Sequence, residues 1–167
     1  FVTYAWQDNE VRFPNRRKSL GTGYRSVASE RFREVLEQRL EGAIHCNAPV
    51  RAVTPRSLVL EDGSTMTAGA VVDGRGHAPS RHMRLGFQKF LGQEIEMRAP
   101  HGVDRPVIMD ATVPQADGYR FVYLLPLTDT RLLIEDTYYA DGAELDRARL
   151  AASIGDYMAA HDWQPAT

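Results

Sequence analysis

Leu132-Leu133-Ile134-Glu135-Asp136-Thr137 carries three apolar residues of strand type into two adjacent carboxylates, and Tyr138 and Tyr139 follow directly. Side chains on a strand alternate between its faces, so Glu135 and Asp136 point opposite ways. Only one of them can share a given pocket with a substrate. A carboxyl at the end of an apolar strand, with aromatic rings nearby, sits where burial raises its pKa and makes it a proton donor. The plainer reading of the same residues is that both acids are solvated where the strand leaves its sheet. The rest of the chain bears on the choice.

Working outward, Tyr119 to Leu125 is rich in aromatic and β-branched residues and is stopped by Pro126, after a turn at Asp117-Gly118. Val107 to Asp110 is a further strand ending in an acid, and the latter part of Phe87 to Met97 alternates as a long strand. Several antiparallel strands in succession predict one sheet, with one face on a core or a large apolar ligand. Parity puts Glu94 and Glu96 on the same face, either as a buried like-charged pair with one raised pKa or as a solvent-facing polar stripe. Arg98, Arg105, Arg120 and Arg131 are near enough in sequence to make plain ion pairs with these acids. Beyond the sheet, Glu144 to His161 reads as a helix with Leu150, Ile154, Tyr157 and Met158 on one stripe.

The first half has a different character. Val11-Arg12-Phe13 is a short strand stopped by Pro14. Arg16, Arg17 and Lys18 read as a basic cluster in a loop beside Gly21-Thr22-Gly23, able to hold a phosphate or simply solvated. Ser29 is a good helix N-cap with Glu30 in the first turn, and Phe32, Val35, Leu36 and Leu40 form a helical core face ended by Gly42. Short strands are predicted at Ala43–Cys46 and Val50–Val53. A hairpin follows from Ser57–Leu60, a turn at Glu61-Asp62-Gly63, and Ser64–Thr67. Ala70-Val71-Val72 reads as a buried apolar strand emptying into Asp73-Gly74-Arg75-Gly76, the shape of a ligand-facing loop in which glycine lets backbone approach closely.

At 167 residues and 43% hydrophobic, the chain is long enough for a sizeable core. A formal net charge of −2 with both signs interspersed gives no footprint for nucleic acid. The lone cysteine, Cys46, excludes an internal disulfide framework, fits a reducing compartment, and reads as a small buried residue. The five histidines show no ligand spacing, and G-x-S-x-G is missing, so a metal centre and a serine hydrolase are both unsupported. No G-x-G-x-x-G follows a strand. No apolar run is long enough to span a bilayer.

Several segments taken together resemble the central part of the bacterial lycopene β-cyclases, flavoproteins of carotenoid biosynthesis. They are Val11-Arg12-Phe13-Pro14, Val72-Asp73-Gly74-Arg75-Gly76, Gly86-Phe87-Gln88, Phe90-Leu91-Gly92-Gln93-Glu94, Ile108-Met109-Asp110-Ala111-Thr112, Gly118-Tyr119-Arg120-Phe121-Val122-Tyr123, and Leu132 to Thr137. The resemblance implies an α+β or α/β architecture. It would be a partial glutathione-reductase-like FAD fold of the hydroxylase type with an antiparallel substrate-domain sheet, lacking the N-terminal dinucleotide-binding unit. Residues 1–81 would then be a flavin-domain segment and 82–167 the substrate-domain sheet with its following helix.

The activity implied is a redox-neutral, isomerase-type cyclisation. An acid protonates an end double bond of lycopene or another acyclic carotenoid, the cation closes to a six-membered ring, and loss of a ring proton leaves a β-ionone end, giving γ- and β-carotene. Glu135 matches the family's essential acid; Asp136, Glu94 and Asp110 are further candidates for support or for the deprotonation. Val50, Asp73 and Gly74 match the family's cofactor-binding positions, with FAD kept reduced by NAD(P)H. The resemblance also implies a cytoplasmic protein in peripheral contact with the inner membrane. Because the phosphate-binding turn and the last flavin segment of the family are not in these residues, the chain alone is expected to bind flavin weakly or not at all, and to be inactive. Two other functions stay open on the residues themselves: a flavin-dependent hydroxylase or oxidoreductase of the same fold, and a non-enzymatic module binding a lipid or terpenoid on its sheet.

Overall fold

The computed structural model describes residues 1–76, 81–82, 84–115 and 118–166. It is mixed α/β with mainly antiparallel sheets. In chain order the elements are β1 (Tyr4–Trp6), β2 (Glu10–Phe13), β3 (Arg16–Ser19), β4 (Tyr24–Ser26), α1 (Ser29–Arg39), β5 (Val50–Thr54), β6 (Ser57–Leu60) and β7 (Thr65–Thr67). Then come β8 (Phe87–Glu96), β9 (Val107–Asp110), β10 (Arg120–Pro126), β11 (Arg131–Ala140) and α2 (Arg147–Ala160).

The larger of two compact units contains Phe1–Ala28 and Leu85–Thr167. Its core is a six-stranded sheet in the order β3-β2-β9-β10-β11-β8. β10 and β11 form a hairpin whose turn is closed by Thr128, with its hydroxyl oxygen accepting from the Arg131 amide at 2.8 Å. β11 then runs in unbroken antiparallel register with β8 from Arg131↔Glu96 to Ala140↔Phe87. One face of this sheet is covered by α2, which Asp146 caps by accepting from the Arg149 amide at 3.0 Å. The expected stripe Leu150, Ile154, Tyr157 and Met158 is buried, and the last three join one core cluster with Val107, Val122, Leu124, Leu132 and Ile134. Leu124 has no exposed surface, so Leu124→Ala should cost about 2–5 kcal/mol by lost transfer energy and cavity. Urea unfolding checks this.

The two units are not separated by a single cut between 81 and 82, since the smaller runs to Arg84 and residues 1–28 belong to the larger. Residues 1–28 cluster with the later sheet because β2 pairs in parallel with β9, placing Arg12 beside Asp110. The basic cluster Arg16-Arg17-Lys18 is not a loop but β3, the edge strand of a hairpin with β2. Charged side chains at an edge discourage pairing with other chains. Arg17 is engaged with Glu10 at 2.7 Å, so it is already neutralised.

The smaller unit, Ser29–Arg84, holds α1 and the antiparallel meander β5-β6-β7. The expected hairpin turn is present. Asp62 accepts from the Ser64 amide at 2.8 Å, and Gly63 takes φ +85°, which a residue with Cβ adopts only under strain.

Three expectations in this unit fail. Of the α1 face only Val35 is buried; Phe32 is 50% and Leu40 45% exposed. Ala43–Cys46 is turn and irregular chain, and Cys46 is exposed. Ala70–Val72 is not a strand, and Val72 is 94% exposed. A short apolar segment becomes a strand only where a neighbour supplies its ladder of hydrogen bonds, and among the described residues no strand pairs with this one. His77 and Asp117 lie outside the described residues.

Candidate active site

Strand alternation separates the two acids of β11 as expected. Asp136 points to the α2 face, is fully buried, and accepts from Arg120 Nε at 2.9 Å and Nη2 at 2.6 Å. Across Val122 on the same face lies Asp110, also buried. It accepts from the Tyr157 hydroxyl at 2.8 Å and the Thr112 hydroxyl at 2.6 Å, with Arg12 Nη1 at 3.4 Å. Burial alone would raise the Asp110 pKa; the Thr112 and Tyr157 hydrogen bonds and the Arg12 charge overcome that and hold it below 3.8. The sheet therefore separates Asp136 and Asp110 from Glu135, and each is spent on an internal partner.

Glu135 points to the other face. Its register neighbours are Tyr123 on β10 and Gly92 on β8. Its Oε1 accepts from the Thr137 hydroxyl at 3.1 Å, and no cation contacts it among the described ion pairs. Aromatic rings gather beside it. The Tyr123 hydroxyl shares a hydrogen bond with that of Tyr24 on β4, the two rings meeting edge-on at 6.2 Å. Tyr24 lies 6.2 Å from Trp6, which stacks on Tyr4 at 6.0 Å. Arg131 Nη2 donates to the Tyr4 hydroxyl at 2.8 Å, a second tie between the β1–β4 ribbon and this face. Glu94 shares the face, opposite Leu133, and is exposed.

Burial pushes the Glu135 carboxyl above its ordinary 4.5, and the Thr137 hydrogen bond pulls it back only in part. Burial, then Tyr24, then the charge of Glu135 push the Tyr123 phenol upward, so it stays a neutral hydroxyl. The face thus combines a carboxyl biased towards its protonated form with electron-rich rings, which attract cations. A sign follows for stability. The folded state holds the Glu135 proton more tightly than the unfolded chain, so stability from this group is complete below pH 4.5 and is lost as pH rises through the raised value. Glu135→Gln should therefore gain stability on the parent as pH rises from about 4 to about 8 in urea unfolding. A gap that stays constant over that range would contradict a raised pKa.

Gly92 is an ordinary strand residue by backbone, absent from the positions with positive φ. A Cβ there would stand 3.4 Å from Glu135 Oε2 and 3.5 Å from Leu133 Cδ1, contacts that fit. Glycine in a strand interior costs about 0.5–1 kcal/mol against alanine and often marks close approach of a ligand.

The cofactor candidates fall in the smaller unit, and Arg75 gathers them. It donates through Nε and Nη2 to Asp73 at 2.8 Å each, and through Nη1 to the Val50 carbonyl at 2.8 Å. Arg75 draws the Asp73 carboxyl down to about 2, so it is an ionised acceptor at any physiological pH. Nothing lies within 4 Å of where a Gly74 side chain would begin. An ionised carboxylate beside open glycine backbone is an acceptor with room around it, and the Val50 carbonyl is held by Arg75. No cluster of three or more metal-ligating side chains occurs among the described residues.

Tyr24, Tyr123, Thr137 and Gly92 escaped sequence reasoning. Tyr123 and Thr137 could have been found by counting hairpin register outward from Asp129. Tyr24 could not, because nothing local marks which sheet face its ribbon covers.

The chain belongs to the lycopene cyclase family, whose model, described as lycopene cyclase protein, matches residues 1–167. It is 47% identical over 163 residues to the lycopene beta-cyclase of Pantoea ananas, covering 98% of this chain and 43% of that protein. It is 49% identical over 158 residues to that of Paracoccus sp. (strain N81106 / MBIC 01143), covering 95% of the chain and 41% of the relative. The lycopene beta-cyclase of Pseudescherichia vulneris is 47% identical over 163 residues, 98% of the chain and 42% of the relative. The chain thus spans about two fifths of the length of these relatives. No solved structure matches it.

Proposed function

We propose that the chain is the acid-bearing portion of a lycopene β-cyclase of carotenoid biosynthesis, with Glu135 as proton donor. The observation that carries this is a half-buried carboxyl, held above its ordinary pKa, beside the Tyr123–Tyr24 pair on the sheet face opposite α2. A polyene has no polar handle, so its activation needs an acid that is protonated in dry surroundings. Glu135 gives its proton to an end double bond of an acyclic carotenoid such as lycopene. The tertiary cation formed is attacked by a second double bond, closing the six-membered ring. Loss of a ring proton restores neutrality, with no net oxidation or reduction. Tyr123 and Tyr24 present ring electrons to the cation while their hydroxyls, bonded to each other, stay out of reaction. In this proposal Glu94, exposed on the same face, takes the departing proton.

The finer fold in this proposal is the glutathione-reductase-like flavin fold of the hydroxylase type, with FAD held by Asp73, Gly74 and the backbone of Val50. When bound, reduced flavin, kept reduced by NAD(P)H, would stabilise the cationic stage. The substrate dissolves in lipid, so the proposal includes peripheral contact with the cytoplasmic side of the inner membrane; no helix among the described residues is long and apolar enough to cross it.

The test is cyclisation by the full-length protein in deuterated water. Donation from an exchangeable carboxyl predicts one deuteron retained per ring formed, read by mass spectrometry of the product. Rings without deuterium would overturn the acid mechanism.

A further inference from the structure

We infer that Gly92 is the opening through which the carotenoid end reaches Glu135; this rests on Glu135 being the proton donor. Within the sheet the carboxyl's other neighbours all carry side chains. Tyr123 stands opposite it on β10, fixed by its bond to Tyr24. Leu133 and Thr137 flank it along β11 on the same face, and Thr137 holds one carboxyl oxygen.

On the remaining side lies β8, the edge strand of the sheet. Its side chains on this face are Gln88, Phe90, Gly92, Glu94 and Glu96, all exposed, and the one directly opposite Glu135 is the one without a side chain. The free carboxyl oxygen, Oε2, is the atom that a Gly92 side chain would meet first. Phe90, 53% exposed, stands next to the gap on the same face and offers an apolar surface to an incoming polyene.

The glycine is not demanded by the backbone, since its φ is not positive, nor by crowding, since a Cβ fits. A residue with a side chain would strengthen the strand. What glycine preserves is empty space at the one oxygen of Glu135 that has no hydrogen bond among the described residues. An end group with its methyl substituents must come within proton-transfer distance of that oxygen, and a side chain at 92 would stand in its path.

A purely structural role and an access role predict opposite results. Gly92→Ala and Gly92→Val are made in the full-length protein, together with Glu135→Gln. Thermal midpoint, cyclisation of lycopene in phospholipid vesicles, and labelling of Glu135 by dicyclohexylcarbodiimide are followed. That reagent is a bulky apolar probe that modifies protonated carboxyls, and peptide mass spectrometry locates it.

The expected result is a thermal midpoint equal to or above the parent for both variants, with turnover about tenfold lower for alanine and at least about a hundredfold lower for valine. Labelling of Glu135 should slow in the same order. Parent-like turnover and labelling in both variants would overturn the proposal, as would lost turnover that follows only from a lowered thermal midpoint. If valine disturbs folding, alanine decides, because its contacts fit. Should Glu135→Gln cyclise at the parental rate, the donor assignment falls and the substrate path with it. An inactive Glu135→Gln beside parent-like Gly92 variants would overturn the opening alone.

Discussion

Glu135→Gln in the full-length protein is expected to lower ring closure by about a thousandfold, within the range that a positioned general acid contributes, while the fold is kept. Glutamine has nearly the shape of glutamate and can still accept from Thr137, so the surroundings need not move. It has no carboxylic proton to give. The group is half-buried with no cation paired to it among the described residues, so making it permanently neutral removes a desolvation cost instead of adding one. The signature is thus a split: activity collapses while the midpoint of thermal unfolding stays level or rises. Turnover within tenfold of the parent would sink the assignment of Glu135 as donor.

Asp136→Asn, one residue further on, should behave in the opposite way. Asp136 has no exposed surface and closes a two-pronged ion pair with Arg120, which is itself only 15% exposed and also donates to the Pro114 carbonyl at 3.1 Å. Removing one charge of a buried pair leaves the other uncompensated and costs about 3 kcal/mol, the low end of what such losses cost because Arg120 keeps some contact with solvent. Stability should fall sharply in urea or thermal unfolding. Ring closure per folded molecule should stay within about tenfold of the parent, because a general acid is what the larger losses require. A stable but inactive Asp136→Asn would reverse the roles given to the two acids. Two adjacent carboxylates then serve different ends for one reason: a strand turns successive side chains to different environments.

Most of the larger unit was legible from pattern. The alternation of Phe87–Glu96, the apolar density of Tyr119–Leu125, and the four-residue spacing of the α2 stripe each reflect a local period. What escaped notice lacked one. β3 is written Arg16-Arg17-Lys18-Ser19, with no apolar residue to show alternation, and becomes a strand because Val11-Arg12-Phe13 lies alongside. β1 and β4 are three residues each, too short to show a period, and are held by each other. Conversely, Ala70–Val72 has the composition of a buried strand and lacks a partner among the described residues. Composition states a preference; a ladder needs two strands.

The same contrast runs through the site. Sequence alone determined that Glu135 and Asp136 part company, that Glu94 and Glu96 share a face, and that Asp73 meets glycine-rich backbone, because each follows from covalent geometry within a few residues. Only the tertiary structure decided which face is dry core and which is left open. That depended on α2 covering the Asp136 side and on Tyr24, about a hundred residues away in the chain, reaching Tyr123 on the Glu135 side. It likewise decided that the place opposite Glu135 is occupied by Gly92, since the register of β8 on β11 is a long-range pairing that no local period encodes.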